Sequence, residues 1–148
     1  MSAGPQGKIR AARAVDVPVL AQLAGELGYP TATGQMERRF ARVTTDADHQ
    51  VFVAEDAAGT VVGWVQVNYT RFLASDPRGE VLALVVAAGS RGRGLGRQLM
   101  QAAEQWTRDQ GGTQLSLRSN IVRKETHVFY ERLGYQVTKT SLNFQKPL

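Results

Sequence analysis

The stretch LVVAAGSRGRGLGRQL, residues 84–99, changes from an apolar run through a glycine-rich turn to an amphipathic segment. Residues 80–86 are apolar on both faces after the first residue, which is typical of a central β-strand. From Leu95 onward the apolar residues recur at helical spacing. The turn therefore leads from a strand into a helix N-terminus, where unpaired N–H groups and a partial positive charge attract anions.

Glycines and arginines alternate through this turn. Glycine lets the backbone approach an anion closely and adopts positive φ without strain. Arginine adds charge and a fork of donors that matches phosphate. The residues concerned are Arg91, Gly92, Arg93, Gly94, Gly96 and Arg97. The pattern favours a phosphate-binding turn over the alternative, a glycine-rich connection with solvated arginines.

Two familiar phosphate loops do not match this turn. A Walker loop requires Lys and then Ser or Thr after its second glycine, whereas Leu95 and Gly96 follow Gly94 here. The dinucleotide fingerprint GxGxxG requires a third glycine at a position that Arg97 or Leu99 occupies. Neither loop is therefore predicted.

The rest of the chain alternates between strand and helix periods. Predicted strands cover residues 9–13, 50–55, 61–69, 80–86, 113–118 and 135–145. Predicted helices cover the segment from Asp16, placed to cap it, to Gly28, then residues 35–43, 95–110 and 124–133. The order β-α-α-β-β-β-α-β-α-β indicates one α/β domain over residues 1–148 with a mixed, twisted sheet, and residues 1–7 are expected to be flexible. The strands on either side of the third helix are expected to be parallel.

Composition excludes several classes of protein. The 148 residues include no cysteine and two histidines, which excludes disulfide frameworks, thiolate metal sites and cysteine nucleophiles, and we predict no metal. The net charge is +5 and the pI about 10.0, but no run of like charges marks a nucleic-acid-binding tail. No apolar stretch approaches the length of a membrane span, and no signal peptide is evident. We expect a cytoplasmic protein with no nucleic-acid or membrane partner.

Two motifs carry a family resemblance. Arg91-x-x-Gly94-x-Gly96 resembles the Arg/Gln-x-x-Gly-x-Gly/Ala pyrophosphate loop of the GNAT superfamily of N-acetyltransferases, although Ala88-Gly89 stands where many members carry proline. Asn120, followed by the segment ETHVFYERLGY at 125–135, resembles the superfamily's Asn…Ala-x-x-Phe-Tyr-x-x-Leu-Gly-Phe/Tyr signature. The element order is also similar to that of the superfamily, a three-layer sandwich.

The resemblance implies transfer of an acetyl group from acetyl-CoA to an amine by direct attack in a ternary complex. It implies that strand backbone holds the pantetheine arm like an added strand, and that the glycine turn holds the pyrophosphate. The implied cofactor-binding residues are Leu84, Val85, Val86, Arg91, Gly92, Arg93, Gly94, Leu95, Gly96, Arg97, Asn120, Arg123 and Tyr130.

Two residues are candidates for proton transfer. The resemblance implies that Tyr130 protonates the leaving thiolate, and a phenol is a donor at neutral pH; the alternative is a core aromatic. Glu80 is a candidate general base, because strand alternation would place Glu80, Leu82, Leu84 and Val86 on one face. A water chain as the base, with Glu80 at the surface, is the alternative. His49 and His127 receive no catalytic role.

The acceptor is expected to be a small-molecule amine, because the chain is little longer than the minimal domain. The pocket walls are expected around residues 29–35, 69–78 and beyond 118, where Tyr29, Tyr69 and Phe72 could contact substrate or cover the core. Acetylation of protein lysines or N-termini, and a non-catalytic acyl-CoA sensor, are the alternatives. Two copies could also pair through residues 138–145 as a homodimer.

Overall fold

The computed structural model describes residues 7–119 and 124–148, which group into two compact units that meet in sequence between Leu117 and Arg118. The strands are β1 (Gly7–Ala11), β2 (His49–Asp56), β3 (Val61–Thr70), β4 (Arg78–Val86) and β5 (Leu115–Leu117). The helices are α1 (Val17–Glu26), α2 (Thr33–Thr44), α3 (Leu95–Asp109) and α4 (Lys124–Arg132). Single 3₁₀ turns cover Ala14–Asp16 and Ala88–Ser90. The expected flexibility of the N-terminus concerns residues that lie almost wholly outside the described ranges, and the single domain over 1–148 stays a prediction.

The first unit contains one mixed sheet in the order β1-β2-β3-β4-β5. The first four strands are antiparallel to their neighbours, whereas β4 and β5 are parallel. The predicted mixed α/β fold and the parallel strand–helix–strand unit are therefore confirmed. β4 is paired with β3 along its length and with β5 only at Gly79, Glu80 and Val81.

Helices cover both faces of this sheet. Trp64 of β3 and Val85 of β4 are paired across the strands and pack with Leu20 of α1 in one buried cluster. Gly63, the neighbour of Trp64, faces the opposite way, where a Cβ would lie 3.3 Å from Leu99 of α3. Since successive residues of a strand point to opposite faces, α1 lies on one face and α3 on the other.

A β-bulge at Leu82 corrects one prediction. Gln66 is paired with Ala83 but Val67 with Val81, so that Leu82 is an extra residue in β4. The extra residue shifts the alternation of side chains. Glu80, opposite Asn68, therefore shares the α1 face with Ala83 and Val85, whereas the side chains of Leu84 and Val86 point to the α3 face.

Asp16 anchors the start of α1 in a way that its capping pattern did not predict. Its carboxylate makes no capping bond to the helix. Instead Arg10 of β1 donates to both carboxylate oxygens at 2.8 and 2.9 Å, and the Arg13 N–H donates at 2.7 Å. These bonds from the guanidinium lower the pKa of the buried Asp16 carboxyl, which stays ionised and ties α1 to the first strand.

The second unit contains α4 and the segment that follows it. Gly134, with φ of 95°, ends α4 in a Schellman motif: the Tyr135 N–H donates to the Tyr130 carbonyl and the Gly134 N–H to the Glu131 carbonyl. Leu133, Gly134 and Tyr135 therefore form the C-terminal end of α4.

The predicted strand over residues 135–145 is wrong, since the structure assigns residues 135–148 to no strand. Its alternating apolar side chains are exposed, with Val137 at 78% and Phe144 at 90% of full exposure. Alternation reports an amphipathic segment, but a strand also needs a backbone partner to accept and donate its hydrogen bonds. The homodimer expected through this segment stays a prediction.

Candidate active site

The carboxyl-terminal half of β4 has an unpaired edge. β5 is paired only with Gly79, Glu80 and Val81, so residues 82–86 have no strand beside them on that side within the described ranges. The Ala87 N–H donates to the Val62 carbonyl at 2.7 Å. Because such bonds alternate along an antiparallel pair, the N–H and C=O groups of Leu84 and Val86 point away from β3.

This edge offers backbone groups to an extended ligand. They belong to Leu84 and Val86, two of the three strand residues predicted to hold the cofactor. Val85 differs, because its backbone groups point to β3 and its side chain is buried in the core. The Val86 carbonyl also accepts a bond of 3.1 Å from Arg91 Nε, which ties the edge to the following turn.

Positive φ was predicted for the glycines of the turn, and two of the three, Gly92 and Gly94, adopt it. Gly92 and Gly94 have φ of 79° and 81°, and a Cβ at either would meet no other atom within 4 Å. Gly96 lies instead in the first turn of α3. The turn thus presents open backbone to the outside, as close approach of a phosphate requires.

The N-terminus of α3 lacks a side-chain cap. Gly94 occupies the N-cap, and the first intrahelical bond runs from the Gln98 N–H to the Gly94 carbonyl at 3.0 Å. The N–H groups of Leu95, Gly96 and Arg97 therefore have no acceptor among the described residues. Three such donors at the positive end of a 15-residue helix form a candidate anion-binding site.

Three arginines surround this site. Arg91, Arg93 and Arg97 are exposed, and none forms an ion pair with a carboxylate in the part of the chain that the structure describes. Their charge is therefore available to a ligand. Two further predicted cofactor residues, Asn120 and Arg123, lie outside the described residues.

Glu80 is held in place on the α1 face of the sheet. Thr70 Oγ1 donates to its Oε1 at 2.7 Å, and Arg78 Nη2 lies 3.9 Å from its Oε2. Arg78 in turn stacks over the ring of Phe72 at 4.3 Å. The carboxylate is about one-fifth exposed, so it is both oriented and within reach of a ligand or water.

A cavity of about 260 Å³ opens on the same face, between α1, α2 and the sheet. Tyr29 and Thr31, from the predicted wall at residues 29–35, contribute to it. Tyr69 does not, because it is buried on the opposite face, where Gly112 lies against its ring. The wall includes aromatic and apolar side chains together with one cation: Met36, Arg39, Phe40, Trp64, Gln66 and Ala83.

Gln66 and His49 form a contact that the sequence did not predict. His49 is the first residue of β2 rather than a loop residue, and its Nδ1 lies 3.3 Å from Nε2 of Gln66. Asp46 Oδ2 lies 3.8 Å from the other ring nitrogen. His49 thus orients a side chain of the cavity wall. Only the strand register, which no local pattern encodes, could have shown this.

Tyr130 lies in α4, within the second unit. Its ring packs edge-on against Phe129 and Tyr135, with centroids 5.0 and 6.0 Å away. Burial raises the pKa of the Tyr130 phenol above its ordinary value of about 10, because ionisation would place a charge in poorly solvated surroundings. The group is therefore a protonated donor at neutral pH. His127, on the same helix, is half-buried.

Together, the open edge of β4, the bare start of α3 and the adjoining cavity define a class of protein. They belong to an α/β fold whose open edge and helix N-terminus suit an extended ligand with phosphate groups and whose cavity suits a smaller one. In the described part of the chain, no cluster of three or more side chains suits a metal ion, and no helix has the length and apolarity of a membrane span.

Comparison with known proteins gives the family. Residues 19–135 match the model of the acetyltransferase (GNAT) family, and the chain therefore belongs to that family. It is an N-acetyltransferase, and the family uses acetyl-CoA as its acetyl donor.

Relatives and solved structures agree with this assignment. An aminoglycoside N(6')-acetyltransferase type 1 of Stenotrophomonas maltophilia is 31% identical over 95% of this chain and 93% of its own length. An aminoalkylphosphonate N-acetyltransferase of Salmonella typhimurium is 35% identical over 61% of this chain and 58% of its own. The crystal structure of an aminoglycoside N-acetyltransferase in complex with CoA has the same fold, with a TM-score of 0.86 at 16% identity, covering 100% of this chain and 99% of that one.

Proposed function

We propose that this chain moves the acetyl group of acetyl-CoA to a primary amine of a small molecule, by direct attack in a ternary complex. The observation that carries the proposal is the unpaired edge of β4 running directly into the bare N-terminus of α3. An edge of unpaired N–H and C=O groups suits the amides of a pantetheine arm, which can pair there like a strand. The free N–H groups of the helix suit the pyrophosphate.

The residues present fit this cofactor. The backbone of Leu84 and Val86 would hold the pantetheine arm, and the turn from Arg91 to Arg97 would hold the phosphates. Asn120, Arg123 and Tyr130 keep their predicted contacts, which rest on the motif alone. Bound there, acetyl-CoA supplies an activated acetyl thioester.

Proton transfer falls to two side chains in this proposal. Glu80 accepts the proton of the attacking amine, directly or through a water, since an amine must lose its proton before it can attack. The bond from Thr70 engages Oε1, so that Oε2, which lies 3.9 Å from Arg78 Nη2, is the oxygen that would accept the proton. Tyr130 donates its phenolic proton to the departing thiolate, and its pKa, raised by burial, keeps the phenol protonated at neutral pH.

The small-molecule acceptor is supported by the cavity and by the relatives. The cavity lies on the face that Glu80 shares, and its volume suits a small ligand rather than a protein segment. The relatives named above act on an aminoglycoside and an aminoalkylphosphonate according to their names, and both are small amines.

A thermal-shift titration tests the proposed cofactor. Acetyl-CoA and CoA should raise the unfolding temperature, by the equivalent of about 2.7 kcal/mol at a 100-fold excess over Kd, whereas NADH and ATP should have little effect. Thiol release from acetyl-CoA in the presence of amines then tests turnover. The chain has no cysteine, so a thiol reagent reports only CoA. A shift without thiol release from any amine would support a sensor, and no shift would refute the cofactor site.

Glu80→Gln should lower kcat by roughly tenfold or more, since it removes the base but not the shape of the side chain. The glutamine can still accept the bond from Thr70, so the unfolding temperature should change little. Asp76→Asn, at an exposed loop residue, is the control for loss of one carboxylate. An unchanged kcat and pH–rate profile in Glu80→Gln would assign proton removal to water alone.

A further inference from the structure

The cavity on the α1 face adjoins the edge where the proposed reaction takes place. Ala83 forms part of its wall and precedes Leu84, whose backbone groups lie on the open edge of β4. Glu80 shares the face of Ala83 and lies just before the bulge. A small molecule in this cavity would therefore lie on the same side of the sheet as the candidate base and beside the residue that precedes Leu84.

The cavity is built for an apolar body. Tyr29, Phe40 and Trp64 contribute rings to its wall, and apolar side chains from α1, α2 and the sheet supply most of the rest. Its volume of about 260 Å³ lies just below the usual range of small-molecule sites, roughly 300–1,000 Å³. The occupant should therefore be compact and largely aromatic or aliphatic.

The charge of the wall disfavours an acceptor that carries several ammonium groups. The wall contains no aspartate or glutamate, and among the residues that line it Arg39 is the one that carries a charge. Each additional ammonium group of a polycation would lose water here without gaining an anionic partner, which is costly. The indole Nε1 of Trp64 is buried and has no acceptor among the described residues.

Arg39 belongs to a basic stretch of α2. Arg38, Arg39 and Arg42 are exposed, and none forms an ion pair in the described part of the chain. Of these three, only Arg39 lines the cavity. Within the described residues, Arg39 is therefore an unpaired cation that lines the cavity, which favours a ligand with a negative charge.

We propose that the acceptor is a compact amine with an apolar body and an anionic group, carboxylate or phosphonate, which Arg39 binds, and that it is not a polycation. This inference rests on the proposed acetyltransferase function and adds the chemical class of its acceptor. The aminoglycoside named for one relative belongs to the class that this wall disfavours.

Matched amines test the class of acceptor. The probes are 4-(aminomethyl)benzoate, its uncharged carboxamide, its phosphonate counterpart and the polycation kanamycin, each assayed by thiol release and by thermal shift in the presence of CoA. The two anionic amines should give the highest kcat/KM and the largest shifts, and kanamycin the lowest. The comparison of carboxylate with phosphonate identifies which anion is preferred.

Two arginine variants test the role of Arg39. Arg39→Gln should raise KM for the anionic amines about fivefold, the scale of one partly exposed ion pair, and leave KM for the carboxamide unchanged. Arg38→Gln removes a neighbouring exposed arginine that does not line the cavity, and it should change neither.

The outcomes separate this inference from the function on which it rests. Higher kcat/KM for kanamycin than for all compact amines, or equal effects of Arg39→Gln and Arg38→Gln, would overturn the inference and leave the acetyltransferase function intact. Binding of CoA without thiol release from any compact amine would also overturn it. Absence of both CoA binding and thiol release would overturn the proposed function itself.

Discussion

Gly94→Glu is expected to reduce the affinity for acetyl-CoA by at least about 100-fold. Gly94 is the N-cap of α3 with φ of 81°, so the variant places a carboxylate where three N–H groups and three arginines attract an anion. Several hydrogen bonds to a charged phosphate, at about 1.5–3 kcal/mol each, would be weakened or lost. Calorimetric titration with acetyl-CoA and CoA measures the change.

Gly59→Glu is the matched control. Gly59 lies in the turn between β2 and β3, has φ of 83°, and, like Gly94, has open space where a Cβ would stand. Both variants impose a left-handed conformation on an L-residue, which costs about 1–2 kcal/mol of stability, and both add one negative charge. Only Gly94→Glu should lose acetyl-CoA. Equal affinities in the two variants would mean that the turn at Gly94 does not bind the cofactor.

The sequence predicted the strand, turn and helix at residues 80–110 almost to the residue because their signals are local. Apolar content, glycine and helical spacing within this segment each report on the same few residues. The positive φ at Gly92 and Gly94 follows from the same local requirement. Such signals do not depend on how distant parts of the chain pair.

The orientation of Glu80 could not be predicted in this way. Leu82 is as apolar as its neighbours, so nothing in its residue type marks it as the extra residue of a bulge. The bulge exists only in the pairing of β4 with β3. In the proposed mechanism the bulge matters, because it places Glu80 on the face that carries the cavity rather than on the face of Leu84.

The C-terminal segment and the cavity also depend on contacts between distant parts of the chain, which the sequence pattern does not encode. Residues 135–145 alternate like a strand, but no local signal states whether a partner will be present. The cavity likewise takes its wall from α1, α2 and three strands, which are separated by up to about sixty residues in sequence. Nothing in the sequence marked Arg39 as a binding residue; only the packing of these elements shows that it lines the cavity.

Tyr130→Phe is expected to lower kcat by about 100-fold or more and to leave KM for acetyl-CoA nearly unchanged. The variant removes the proposed proton donor but keeps the ring that packs edge-on against Phe129 and Tyr135. A positioned general acid typically contributes 10²–10⁴-fold to the rate, and the ring contacts sustain the fold of α4. Steady-state thiol release, with the unfolding temperature as a check on folding, measures both parameters.

Tyr135→Phe provides the control for loss of a phenol from the same aromatic cluster, and its kcat should remain close to that of the unaltered chain.

The pH–rate profile distinguishes the two residues further. Because burial raises the pKa of Tyr130 above about 10, the unaltered chain should keep its rate through neutral pH and lose it only at higher pH, as the phenol ionises and can no longer donate. Tyr130→Phe should lack that alkaline decline. A decline that persists in Tyr130→Phe, or a kcat equal to that of Tyr135→Phe, would show that another group or water protonates the thiolate.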